Sequence, residues 1–144
     1  MKTIYNPDFP KDLLPSIKPL VTKWKGLLPS WCSVLRIKFD PRRDAVMSVK
    51  PSYRNRWAVL FVTGQWYEED LDDRELALIH EFIHILLDPL DAPITRILSD
   101  VLEEKSPASE LAESMFYDGL EAAVTDISQG IFRMRTSVAP ERSH

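Results

Sequence analysis

Hydrophobic positions along the chain change period several times, and the changes divide it into elements. Leu13, Leu14, Ile17, Leu20, Val21, Trp24 and Leu28 recur at helical spacing, which predicts an amphipathic helix to about residue 28, kinked or divided by Pro15 and Pro19. Residues 1–10, with Pro7 and Pro10, read as an irregular lead-in. From Val34 to Phe39 the period drops to two, and Asp40-Pro41 supplies a turn signal. Ala45, Met47 and Val49 alternate in the same way before Pro51 to Asn55 close the segment as a loop. Trp57 to Thr63 is a run of strand formers that stops at Gly64. Three consecutive strands with short connections predict an antiparallel meander.

After Glu68 the helical period returns. Asp72 and Glu75 form a capping-box-like start, and Pro89 predicts an end just after Asp88. Between them, Leu76 to Leu87 (LALIHEFIHILL) is apolar nearly all round, which predicts a buried central helix. Residues 93–105 predict a shorter helix along Ile94, Ile97, Leu98, Val101 and Leu102. Ser106 as N-cap and Pro107 at the first helical position open a long one, through Leu111, Met115, Leu120, Val124, Ile127 and Ile131 to about Phe132. The remainder, 133–144, lacks apolar periodicity and is expected to be a flexible tail, with His144 outside any site. The fold class expected is α+β: a small three-stranded, mostly antiparallel sheet packed on the central helix and further helices, within a single domain of residues 1–132.

Composition narrows this picture. With 144 residues, 44% hydrophobic and 28% charged, the chain has the balance of one soluble globular domain. A net charge of −4 argues against nucleic acid as a partner, and Arg42, Arg43, Arg54 and Arg56 read as solvated turn residues. No apolar run approaches the roughly 18 residues of a membrane span, so no membrane partner is expected. The lone Cys32 has no internal disulfide partner, which fits a reducing, cytoplasmic setting, and it reads as a buried strand thiol.

The chemistry is concentrated in the central helix. His80 and His84 are one turn apart, so at about 100° per residue both project from one face and can hold a single metal ion. Glu81 lies beside the first of them. Burying two imidazoles and a carboxylate costs several kcal/mol without a compensating partner, and Zn2+ is the natural one. The bland alternative is a core helix whose histidines bond to carbonyls. A catalytic zinc takes three protein ligands and leaves a position for water, so a third donor is needed. Glu121, at the edge of the stripe formed by Leu120 and Val124, is the preferred candidate, with Asp126 or Glu113 as alternatives and Asp118 read as solvent-facing. Asp88, one turn past His84, is either a helix-terminal carboxylate or an acceptor that orients that imidazole.

The pattern HEFIH followed by the helical segment LEAAVTD resembles the gluzincin class of zinc metallopeptidases, and the compact layout is similar to minimal gluzincin domains of phage and prophage genomes. Gluzincins place the third ligand in Asn-Glu-x-x-x-Asp; here Leu120 precedes Glu121, Thr125 stands four residues on and Asp126 comes one position late. The extended metzincin pattern is absent, since Leu87 and Leu90 stand where it needs glycine and histidine. The resemblance implies a zincin-like fold, zinc held by His80, His84 and Glu121, and hydrolysis of a peptide or protein substrate by a zinc-activated water with Glu81 as general base. Under it, Tyr117 is an oxyanion donor, the alternative being a core tyrosine. Trp57 to Thr63, as a sheet edge beside the cleft, would bind an extended peptide, and Trp57, Trp66 and Tyr67 either shape that cleft or serve as packing residues. Two other readings stand beside it: a zinc-stabilised binding or regulatory module without turnover, and a helical protein whose histidines are coincidental.

Overall fold

Thr3, Ile4 and Tyr5 are strand formers, and with Lys2 they begin the sheet instead of leading into it. The computed structural model describes residues 1–102 and 106–135. Its elements are β1 (Lys2–Tyr5), α1 (Leu14–Trp24), β2 (Val34–Phe39), β3 (Met47–Ser52), β4 (Trp57–Val62), α2 (Leu71–Val101) and α3 (Pro107–Met134). Short 3-10 turns follow α1 at Lys25–Leu27 and precede α2 at Gly64–Tyr67.

The fold is α+β, but the sheet is four-stranded and mixed, with the order β1-β2-β4-β3. β1 pairs parallel with β2, β2 parallel with β4, and only β3 and β4 are antiparallel. The expected three-stranded meander is therefore corrected on two counts. Four residues before Pro7 are too few to display a period, so β1 was hidden in the lead-in. α1 then returns the chain across the sheet, as parallel pairing requires of a connection. β3 hairpins onto the outer side of β4 and becomes the edge. Pro51 fits that place: Thr63 N donates to Val46 O, so alternation turns the backbone of Met47, Val49 and Pro51 away from β4, where a missing N–H costs no ladder bond.

Leu35 and Ile37 of β2 and Ala58, Leu60 and Val62 of β4 face Ile17 and Val21 of α1 and Leu78, Phe82 and Ile85 of α2 in one buried cluster. Both helices thus lie on the same face of the sheet. α3 reaches the body through a smaller cluster, Ile79, Ile83 and Val124. A second link closes its far end. Glu75, buried, accepts from Lys23 Nζ (2.5 Å), Trp24 Nε1 (2.7 Å) and Arg135 Nη1 (2.7 Å), while Arg135 Nη2 donates to Asp72 (2.9 Å).

Three helix boundaries differ from expectation. The side chain that caps α2 is Asp70, accepting from Asp73 N, which frees Asp72 and Glu75 for the ion pairs just described. α2 does not end at Pro89; it runs through Pro89 and Pro93 to Val101 and absorbs the start of the helix expected at 93–105. A proline removes one intrahelical bond and disfavours helix before it without forbidding it, and Leu86, Leu87, Leu90 and Ala92 are good helix formers. α3 continues past Phe132 to Met134, and Arg135 is tied down, so the first residues of the expected tail belong to the folded unit. Residues 103–105 and 136–144, including His144, lie outside the described residues. Among the described residues no helix is long and apolar enough to cross a membrane.

Candidate metal centre

His80 and His84 sit on the flank of α2 that meets α3, and Glu121 projects from α3 toward them. His84 Nε2 is 3.0 Å from Glu121 Oε1, His80 Nε2 is 3.4 Å from Glu121 Oε2, and the two Nε2 atoms are 3.2 Å apart. Among the described residues these are the three that the fold brings together as a set that could hold a metal ion. Asp126 and Glu113 are exposed and stand outside it.

The spacing tests whether zinc fits. Bonds of about 2.05 Å at a tetrahedral angle place neighbouring ligand atoms about 3.3 Å apart. The 3.0 Å and 3.4 Å contacts reach different oxygens of Glu121, so with the 3.2 Å between the imidazoles they bring the three side chains within reach of one ion, at separations near that value. The donor set, two imidazole nitrogens and one carboxylate, also suits zinc. Two imidazole nitrogens at 3.2 Å share at most one proton comfortably, and a cation between them removes that conflict.

Glu81 is the fourth polar residue of the site and lies on the side of α2 facing β3. Burial pushes its carboxyl up to about 8, the Glu121 carboxylate adds to the shift, and a hydrogen bond from the backbone of Val49 opposes it. His80 is shifted down, first by burial and then by His84, with Glu121 pulling the other way. All four residues open into a cleft of about 440 Å³, whose remaining walls include Met47 and Val49 of β3 and Tyr117 and Leu120 of α3.

Several expected roles move. Asp88 neither ends the helix nor touches His84: it is buried and accepts from Tyr53 N (2.8 Å), pinning the β3–β4 turn to α2. Burial raises its carboxyl above the ordinary range, and that same bond from Tyr53 partly offsets the rise. β4 is interior, so the edge beside the cleft is β3. Trp66 is fully buried with Nε1 on Ser16 Oγ (2.9 Å), Tyr67 bonds to Asp12 (2.8 Å), and Trp57 lies on the far face of the sheet; none lines the cleft. Tyr117 does, and is 62% exposed there. The contribution of Val49 was missed, although Pro51 inside a strand pattern is a signal for an edge. Compared with family models, curated proteins and solved structures, the chain matches none.

Proposed function

We propose that this chain is a zinc-dependent peptidase of the gluzincin kind, with a zincin-like arrangement of its motif helix, in which His80, His84 and Glu121 hold the metal and Glu81 is the general base. The observation that carries this reading is the convergence of three ligand-type side chains, His80, His84 and Glu121, within reach of one ion beside the buried Glu81 carboxyl, at an open strand edge. Bound zinc supplies Lewis acidity, which acidifies water and polarises a carbonyl.

The chain's own residues do the rest. Glu81 takes a proton at its carboxylate and returns it to the leaving amine, and its buried setting, which raises its proton affinity, helps it to hold that proton between the two transfers. A neighbouring cation favours the ionised form, so metal loading readies Glu81 as a base. The Val49 backbone holds the Glu81 carboxyl beside β3. The outward backbone groups of Met47 and the carbonyl of Val49 offer an extended substrate a partner strand along the cleft. Tyr117 is the hydroxyl on the cleft wall that can donate to a developing oxyanion.

A second reading, a zinc-stabilised binding or regulatory module without turnover, is favoured by one feature. The ligand set joins α2 to α3, so a bound metal would add a cross-link to the packing of Ile79, Ile83 and Val124 between them. A mixed peptide library read by mass spectrometry separates the two. Zinc-loaded wild type should cleave, and chelator-treated protein and Glu81→Gln should lose roughly 10²-fold or more. Cleavage undiminished in Glu81→Gln excludes this mechanism; zinc binding without cleavage selects the module.

A further inference from the structure

The face of the sheet that carries no helix has a composition unlike the rest of the chain. Register places Lys2, Val34, Trp57 and Ser52 in one row across it, Ile4, Arg36, Val59 and Lys50 in the next, and Lys38, Phe61 and Ser48 in a third. The four strands contain four basic residues, Lys2, Arg36, Lys38 and Lys50, and no acidic residue. All four basic residues fall on this face. Lys2, Arg36 and Lys50 are exposed and Lys38 half-buried, and among the described residues none of them enters an ion pair. A net charge of −4 therefore conceals a segregation: among the described residues the acids lie outside the strands.

Sheets with parallel pairs are ordinarily covered on both faces, and here the parallel strands β1, β2 and β4 have one face bare. That face also holds a cavity of about 420 Å³ between Val34, Val59, Trp57, Arg36, Asn55 and Arg56. Arg56 is fixed at its rim by a left-handed backbone (φ 60°) and by Nε donating to Ser33 Oγ (3.0 Å). Phe61 is already stacked under Arg43, 3.6 Å from guanidinium to ring centre, and Arg43 is paired with Asp40. The ring left for an incoming partner is Trp57.

We propose that this open sheet face is a docking surface for single-stranded nucleic acid. The charge is complementary to a polyanion. Arg36 and Lys38 are two residues apart on one strand, about 6.6 Å, and Lys50 lies two strands from Arg36, about 9.6 Å, so the cations form a track and not a point. A cavity with an apolar floor, an indole and flanking guanidinium groups accepts a flat base by stacking. An acidic peptide would use the charges but has no planar group for that cavity. The surface is on the opposite side of the sheet from His80, His84 and Glu121, so it goes beyond the peptidase reading and does not depend on metal.

The test is fluorescence anisotropy of labelled 20-nucleotide oligothymidine with the full chain, zinc-loaded and chelator-treated. Four phosphate contacts predict a slope of about −2.8 in log affinity against log salt, or about 50-fold weaker binding at 200 than at 50 mM. Arg36→Glu with Lys50→Glu should halve the slope or abolish binding, whereas Arg36→Lys should retain it. Trp57→Leu should weaken binding about 10-fold at both salts with the slope unchanged. Melting temperature checks that each variant folds. The proposal is overturned if wild type fails to bind at 50 mM salt, if the charge-reversed protein binds equally well, or if duplex is preferred to single strand. Displacement of the oligonucleotide by polyglutamate at equal charge would instead assign the face to acidic peptides and overturn it too.

Discussion

Under the proposed mechanism Glu81 and the two histidines have unequal duties, and single substitutions separate them. Glu81→Gln keeps the side chain's volume and its bond from Val49 while removing the base, so zinc occupancy should persist as activity falls. The same carboxyl leaves a signature on stability. Its folded pKa is raised from 4.5 to about 8, so the folded state binds the proton more tightly than the unfolded chain. That contribution is fully present below pH 4.5 and is lost as pH rises through about 8. Chelator-treated wild type should therefore show a melting temperature that declines across this window, and Glu81→Gln should lack that part of the decline. Parallel curves for the two proteins would refute the assignment.

At the scale of elements, Glu75 and Arg135 join α1, α2 and the end of α3. Glu75→Ala strands Lys23 and Arg135 opposite an empty place, and removing one partner of a buried pair costs about 3 kcal/mol. Arg135→Ala should cost less, and should also weaken zinc binding because it loosens the helix that carries Glu121. Chemical denaturation and zinc titration of both variants check this, and an unchanged zinc affinity in Arg135→Ala would show that α3 is held elsewhere. This anchor was invisible in the sequence, because nothing local connects Arg135 to a residue 60 positions earlier. What was legible came from periodicity: β2, β3, β4, the motif helix and Glu121 at the edge of its stripe. What was not came from pairing and context. Period alone could not say that β2 and β4 are neighbours, and Pro89 carried a stop signal that the surrounding helix formers overrode.

For the whole molecule, the proposed ligand set, spread over two helices, would make metal binding part of folding energy. Zinc at one hundred times its dissociation constant should stabilise the chain by about 2.7 kcal/mol. His80→Ala and His84→Ala should each lose that increment, measured as the difference between melts with zinc and with chelator. Equal stabilisation of both variants and wild type would remove the site. Under the two proposals the molecule has two sites back to back, a metal cleft bounded by α2, α3 and β3, and a basic sheet face behind it.

The contact of Ile79, Ile83 and Val124 would have a kinetic consequence for the proposed centre. With two ligands on α2 and the third on α3, lifting α3 would take away one of three bonds to the ion. The lifetime of the loaded state would then depend on how often one helix peels from another, and a variant that leaves every ligand intact could still change how fast metal comes and goes.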